Sequence, residues 1–303
     1  MDGFLASRAV SDLLVGLHFG VVIGLVALSL VLIWRATHIL NFAQGAMAAF
    51  SAYLGMSLLS YNVGYWWCAI ASVFAGLVFG GITERVLIRR LYGKPEINPI
   101  VVMVGFLALL EAIATAVWGA SGRAVPLPFS FVDWQLNSQT GQTIAISPEG
   151  VYQIVAALVV TILIVVLFRY TNLGLQLRAA AVAPEVSRLL GVRVSRMLTL
   201  GWILSSGVGA VAAVIVASNF GPGLTPTVMD APFAIAFIAA AVGGLESPWG
   251  ALLAGVAFGI MQQFVTDYLN NSDYVFLIAL GVLVVVLMIR PQGVFSKSVS
   301  RRV

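Results

Sequence analysis

The chain has 303 residues, of which 60% are hydrophobic and 9% are charged, and its formal net charge is +4. Soluble domains carry roughly 25% charged residues, so these charges are too few to cover a soluble globule, and the high hydrophobicity excludes intrinsic disorder. The cations are dispersed arginines rather than a basic patch, which argues against nucleic-acid binding, and the lone Cys68 excludes an intrachain disulfide. The composition therefore predicts a polytopic membrane protein built as an all-α helical bundle.

Apolar runs along the chain predict the membrane spans. A helix needs about 20 apolar residues to cross the hydrocarbon core, and eight runs are suitable: 13–33, 40–60, 65–82, 99–118, 151–168, 197–217, 249–269 and 274–289. A ninth run, 231–245, would be roughly 22 Å long as a helix, which is short for a crossing. It is interpreted as a thin span or as half of a broken one, so the sequence predicts eight or nine spans.

Arginine and lysine placement predicts the orientation of these spans. With nine crossings and the N-terminus outside, Arg8 and Arg123 remain outside and the other cations lie inside, as the positive-inside rule requires. The inner cations are Arg35, Arg85, Arg89, Arg90, Lys94, Arg169, Arg178, Arg188, Arg193, Arg196, Arg290, Lys297, Arg301 and Arg302. This bias predicts a cytoplasmic C-terminus. A re-entrant 231–245 segment would move the N-terminus to the other side.

Ionisable residues inside predicted spans are candidates for function because they are costly in lipid. They are His18, Glu111 and Asp267. Glu111 is a candidate for lining a pathway, with proton relay and structural pairing as alternatives. The sequence has no P-loop, no G-x-S-x-G and no H-x-x-x-H motif, so no catalytic residue or metal site is predicted. Any energy for transport must come from an ion gradient or from a partner.

Two stretches are typical of interrupted helices, which in membrane proteins commonly line cavities. Residues 37–45 place Asn41, Gln44 and Gly45 at the start of a span, and residues 219–226 contain a Gly-Pro-Gly turn before the short 231–245 run. A helix N-terminus at such a point suits a carboxylate. An ordinary loop with a helix cap is the alternative for both.

Residues 170–196 form the most informative loop, on the predicted inner face. A short helix is predicted from Pro184, with Glu185 in its first turn and an end at Gly191. Its apolar face carries Val186, Leu189 and Leu190. Such a short helix is not stable alone, so it is expected to dock into a groove of a partner, with a helix lying on the membrane surface as the alternative.

Four segments together resemble the LivH-type permease subunits of branched-chain amino acid ABC importers. They are Ile-Leu-Asn-Phe-Ala-Gln-Gly at 39–45, the T-x-x-G…R-A…E…L-L-G pattern at 171–191, Gly-Gly-Leu-Glu-Ser-Pro-Trp-Gly at 243–250, and Arg-Pro-Gln-Gly-Val-Phe at 290–295. The resemblance extends over residues 10–296, which it identifies as one permease domain. Residues 170–196 are then its coupling loop, and 297–303 a cytoplasmic tail.

This resemblance implies a set of partners and site residues. The partners would be a second homologous permease, two cytoplasmic ATP-binding subunits that hold Mg-ATP, and an extracytoplasmic solute-binding protein. No cofactor or metal is expected in this chain. Implied ATPase contacts are Arg178, Glu185, Val186, Arg188, Leu189, Leu190 and Gly191; pathway candidates are Asn41, Gln44, Gly45 and Glu111; a structural turn is implied at Gly243, Gly244 and Gly250.

The leading hypothesis is therefore a multi-pass permease of the bacterial cytoplasmic membrane that imports leucine, isoleucine or valine by alternating access. Related permeases for urea, amides or other small polar solutes are the first alternative. An ion-coupled secondary transporter or channel is the second, although it leaves the short helix at 184–191 unexplained. An intramembrane enzyme is the third, and no catalytic set of residues supports it.

Overall fold

The computed structural model describes residues 2–95, 97–128, 134–137, 143–146, 148–219 and 223–295. The helices in this part of the chain are α1 (Asp2–Thr37), α2 (Gln44–Met56), α3 (Tyr65–Val86), α4 (Ile97–Trp118), α5 (Pro148–Tyr170), α6 (Asn172–Val182), α7 (Pro184–Leu189), α8 (Val194–Asn219), α9 (Asp230–Gly243), α10 (Pro248–Leu269) and α11 (Asp273–Ile289). Two short 3₁₀ turns, Ser57–Tyr61 and Ile88–Arg90, follow α2 and α3. The predicted helical architecture is confirmed.

Six helices within the described residues are long and apolar enough to cross a membrane: α1, α3, α4, α5, α8 and α10. The helices α9 and α11 are apolar but shorter, and α2 has 13 residues. Each predicted apolar run coincides with one helix, and most helices extend past their run because polar residues continue the helix beyond the hydrocarbon. The number of crossings, eight or nine, stays a prediction.

A small β-hairpin, which the apolar pattern did not predict, lies between α4 and α5. Its strands are β1 (Trp134–Asn137) and β2 (Thr143–Ile146), paired antiparallel with Trp134 opposite Ile146. Four residues per strand are too few to produce a clear alternating signal beside the long apolar runs. The fold is therefore predominantly helical with one added hairpin.

Small residues bring α1 and α10 into close contact at the centre of the bundle. Gly16, Gly20 and Gly24 face α10, where Gly255 and Gly259 oppose them. A Cβ added at Gly20 would lie 2.6 Å from the Val256 carbonyl oxygen, well inside ordinary contact distance. Small residues every four positions allow such close backbone approach. The glycines of α1 and α10 therefore pack these two helices together within the bundle.

The helix ends form two groups, one at each end of the bundle, and contacts connect the ends within each group. At one end, the Tyr53 hydroxyl donates to the Leu224 carbonyl at 3.0 Å and the Trp118 indole N–H donates to Ser57 Oγ at 2.7 Å. At the other end, Arg89 on the α3–α4 connection donates to Thr199 near the start of α8. We call this second end, which also holds Arg35, the basic side. The helices α1 and α3 therefore both end at the basic side, and α8 begins there.

Cys68, the single cysteine of the sequence, is packed inside α3. Its side chain is fully buried, and its Sγ lies 3.5 Å from the Val63 carbonyl oxygen as a weak donor. This position agrees with its interpretation as a small apolar residue in a helix.

Candidate translocation and coupling sites

The short helices α2 and α9 both begin near mid-depth of the bundle rather than at one of its two ends. The Gln44 side chain at the start of α2 donates to the Ser205 carbonyl, and Ser205 is about 16 Å along α8 from the basic side. A Cβ added at Gly45 would lie 3.0 Å from Phe233 Cβ and 3.4 Å from the Met229 carbonyl oxygen at the start of α9. The N-termini of two short helices thus meet near mid-depth, an arrangement found at substrate sites of transporters.

Asn41 and Gln44 form a closed hydrogen-bond cluster at this point. Asn41 Nδ2 donates to Gln44 Oε1 at 2.9 Å, and Asn41 Oδ1 accepts from the Ala43 N–H at 3.0 Å. Gln44 Nε2 donates to the Ser205 carbonyl at 3.2 Å. Both side chains are at most 2% exposed. The cluster fixes the turn into α2 against α8, and lining of a pathway by these residues stays a prediction.

Glu111 meets a second carboxyl group that the sequence analysis missed. Its side chain lies within hydrogen-bonding reach of Asp230, the first residue of α9. Glu111 is about 21 Å along α4 from the basic side, so the pair is at membrane depth. Asp230 is exposed and Glu111 is half-buried in the single chain. Asp230 was not among the predicted candidates because it directly precedes the apolar run at 231–245 and so lies outside the predicted span.

The segment between α5 and α8 turns the chain through two short helices. Thr171 caps α6 by accepting from the Gly174 N–H at 3.1 Å, and Gly174 packs against the backbone of Phe168, where a Cβ would clash. The T-x-x-G pattern is thereby explained as a cap and a close approach. Arg178 on α6 is exposed and donates to the Gly174 carbonyl at 3.3 Å.

The helix α7 forms where the sequence predicts it, and its apolar face has no cover in the single chain. Pro184 occupies its first turn, and Gly191 ends the segment with φ at +83°. Leu189 and Leu190 are 88% and 79% exposed, whereas Ser187 is buried. The remaining predicted contact residues, Glu185, Val186 and Arg188, are also exposed. Their contact with an ATPase stays a prediction.

A buried ion pair, also missed at the sequence level, connects α3 to α8 beside this segment. Arg89 donates to both oxygens of Glu84, with Nε–Oε1 at 3.3 Å and Nη2–Oε2 at 3.1 Å. Thr199 on α8 donates to Glu84 Oε2 at 2.8 Å. Glu84 is fully buried, and burial together with the Glu84 charge raises the pKa of the nearby Tyr92 hydroxyl. The sequence feature that could have indicated this ion pair is the acidic Glu84, which lies in an otherwise basic stretch.

The glycine-rich turn after α9 packs against the C-terminal motif. Gly244 has φ at +97° and Gly293 has φ at +88°, conformations that favour glycine. The Val294 N–H donates to the Val242 carbonyl at 2.8 Å, and a Cβ at Gly250 would lie 2.8 Å from Phe295 Cβ. Gly243 and Gly250 pack backbone to backbone. Two sequence motifs about 45 positions apart therefore form one structural unit.

Some sequence predictions fall on residues that the structure does not describe. Within the 219–226 stretch these are residues 220–222, and at the C-terminus they include Lys297, Arg301 and Arg302. The predicted cytoplasmic tail at 297–303 likewise lies outside the described residues.

Three features together define a multi-pass membrane transport protein. They are the apolar helices, the two short helices α2 and α9 whose N-termini meet near mid-depth, and the exposed helix α7. The chain belongs to the family of branched-chain amino acid transport system permease components, whose model matches residues 13–288. It is 27% identical to the high-affinity branched-chain amino acid transport system permease protein BraD of Pseudomonas aeruginosa, over 93% of this chain and 94% of that protein.

Two further relatives extend the similarity. LivH of Escherichia coli K12, a high-affinity branched-chain amino acid transport system permease protein, is 22% identical over 93% of this chain and 94% of its own length. A probable branched-chain amino acid transport permease protein LivH of Methanocaldococcus jannaschii is 28% identical over 89% of this chain and 87% of its own length. The resemblance drawn from the four motifs is confirmed.

Proposed function

We propose that this chain is the transmembrane permease subunit of an ATP-driven ABC importer that moves leucine, isoleucine and valine across the bacterial cytoplasmic membrane. The family match over residues 13–288 carries this proposal. It is supported by relatives named for branched-chain amino acid transport that align over nearly their whole length. Because the sequence has no P-loop, ATP is hydrolysed by separate subunits.

The proposed topology has nine crossings, with the N-terminus outside and the C-terminus in the cytoplasm. In this topology α2 and α9 are short crossing helices, and the loop that precedes each of them supplies the rest of the crossing. The contacts that group the helix ends support alternation of α2, α3, α4 and α8 in this topology. The concentration of arginines on the basic side supports its assignment to the cytoplasm.

The proposed coupling element is α7, seated in a groove of an ATP-binding subunit. Leu189 and Leu190 are exposed to water in the single chain, and burying a leucine side chain contributes about 1.5–3 kcal/mol. Movement of α7 is then transmitted to α8, which begins five residues later. The link between Thr199 and the Glu84–Arg89 pair carries the movement on to α3.

The proposed translocation region is the meeting point of α2 and α9 near mid-depth. A branched-chain amino acid carries an ammonium and a carboxylate on an apolar body. The carboxyl groups of Glu111 and Asp230 attract the ammonium, and the N-terminal end of α2 favours the carboxylate. In alternating access, this region opens to the binding protein and to the cytoplasm in turn.

Transport in proteoliposomes tests the proposal. The chain would be co-reconstituted with its proposed partners, a second permease, two ATPases and a binding protein, and uptake of radiolabelled leucine measured with ATP on the ATPase side. We expect ATP-dependent uptake that isoleucine and valine compete away, that urea and acetamide leave unchanged, and that a protonophore does not affect. Uptake without ATP that a protonophore abolishes would contradict it.

Co-purification tests the coupling role of α7 separately. The double variant Glu185→Arg with Leu189→Asp reverses one charge and places another on the apolar face, so we expect the ATPases to be lost from the purified complex. The matched control, Glu246→Arg with Val294→Asp, makes the same two changes of charge at exposed positions on the basic side. A complex that survives the α7 variant intact would remove α7 as the coupling element.

A further inference from the structure

A groove on the basic side of the bundle combines three cations with apolar walls. It lies between the end of α1, the end of α5, α6 and the start of α10, with a volume of about 430 Å³. Its lining includes Arg35, Arg169, Arg178, Ile164, Phe168 and Trp249. Neither the predicted translocation region nor the exposed face of α7 contributes to it, although Arg178 is also one of the implied ATPase contacts.

Positive charge is concentrated in this groove by groups from three different helices. The guanidinium groups of Arg35 and Arg178 repel each other, and the Glu246 carboxylate offsets part of the charge at Arg35. Arg178 uses its Nε to donate to the Gly174 carbonyl, which leaves its two terminal nitrogens for a ligand. Three guanidiniums against one carboxylate favour a bound anion.

Aromatic rings hold two of these arginines in place. The Arg35 guanidinium lies 5.5 Å from the centroid of the Phe168 ring, and that of Arg169 lies 5.9 Å from the Tyr170 ring. Stacking of this kind orients a guanidinium while its N–H groups remain available. Trp249 at the rim is 48% exposed, and tryptophan with tyrosine at a helix end is typical of the headgroup level of a bilayer.

The groove continues into an apolar surface on the spanning part of α5. Val165 and Arg169 line the groove, and Ile162 and Leu158, three and seven positions before Val165 on the same side of α5, are 54% and 48% exposed. A soluble anion needs only the charged groups of the groove and makes no use of this apolar surface. A molecule with an anionic head and long hydrocarbon tails fits both parts.

We propose that this groove binds the phosphate headgroup of an anionic phospholipid, with Arg35, Arg169 and Arg178 as its ligands and α5 as the surface for the acyl chains. Basic pockets between spanning helices at the cytoplasmic face have the chemistry that anionic lipid headgroups require. Guanidinium groups match the geometry of phosphate oxygens with paired hydrogen bonds. The bound lipid joins the end of α1 to α6, the helix that precedes α7.

Lipid titration of the purified full-length chain tests the site without any transport measurement. The chain in zwitterionic detergent would be titrated with palmitoyl-oleoyl phosphatidylglycerol, and bound lipid counted by native mass spectrometry. We expect saturable binding that the Arg169→Gln, Arg178→Gln double variant weakens at least tenfold. The control double variant, Arg90→Gln with Arg193→Gln, removes the same charge from exposed positions elsewhere on the basic side and should bind within twofold of the unaltered chain.

Three further arms identify the ligand and exclude a general charge effect. Palmitoyl-oleoyl phosphatidylcholine should not saturate the site, and millimolar inorganic phosphate should not displace phosphatidylglycerol. Equal loss of binding in both double variants, or displacement by phosphate alone, would overturn the proposal. Loss of the lipid when the ATPases assemble on the chain would instead identify the groove as a protein interface and would also overturn it.

Discussion

The close approach of α1 and α10 makes Gly20→Ala a sensitive test of the fold. The added methyl group would point at the backbone of Val256, 2.6 Å from its carbonyl oxygen and 2.7 Å from its Cα. Neither atom belongs to a side chain that can rotate away. The two helices must therefore separate, and the contact between the glycines that flank this point loosens with them.

The size of the effect follows from these distances. Ordinary van der Waals contact begins near 3.4 Å, so the helices must part by about 1 Å, and overpacking of this kind costs about 1–3 kcal/mol. Alanine recovers up to about 1 kcal/mol through its higher helix propensity. We expect the free energy of unfolding of Gly20→Ala to fall by up to about 2 kcal/mol relative to the unaltered chain.

Gly105→Ala on α4 is the matched control, because an added Cβ there meets nothing within 4 Å. It keeps the gain in helix propensity and lacks the clash, so its stability should equal or exceed that of the unaltered chain. Unfolding by increasing sodium dodecyl sulfate in mixed micelles, followed by the helical circular dichroism signal, measures both variants. Equal stability of Gly20→Ala and Gly105→Ala would refute the close helix contact.

Three other substitutions probe the ion pair, the paired carboxyl groups and the C-terminal turn. Glu84→Gln leaves Arg89 partly buried without its counter-charge, so thermal stability should drop by about 1–3 kcal/mol, and an unchanged melting temperature would contradict the pairing. Asp230→Asn and Glu111→Gln should each lower ATP-driven leucine uptake at least fivefold while melting temperatures stay the same; full uptake in both would remove the pair from the pathway. Gly293→Ala forces a left-handed φ of +88° on alanine, so limited proteolysis should cleave near the C-terminus faster than in the unaltered chain.

The parts of the fold that sequence reasoning predicted depend on local patterns. Apolar runs locate the spanning helices because hydrocarbon demands a continuous apolar surface. The sequence from Pro184 to Gly191 contains both a helix start and a helix stop, and α7 begins and ends accordingly.

The parts that escaped prediction depend on tertiary contacts. Thr199 donates to Glu84 across 115 positions, and nothing in either local pattern indicates the pairing. Asp230 becomes a partner of Glu111 because the chain before α9 turns into the bundle, a path that composition does not reveal. Asn41 and Gln44 are recognisable as polar residues at a helix start, but their mutual hydrogen bond is a property of the folded turn.

The burial of Cys68 makes this chain a suitable background for site-directed labelling. A maleimide needs an exposed thiol, and the native one is fully buried in α3. A cysteine introduced at Leu190, which is 79% exposed, should therefore react selectively without removal of Cys68. An environment-sensitive fluorophore at that position would test the proposed docking of α7, because its emission should change when the ATPases are added if α7 leaves water.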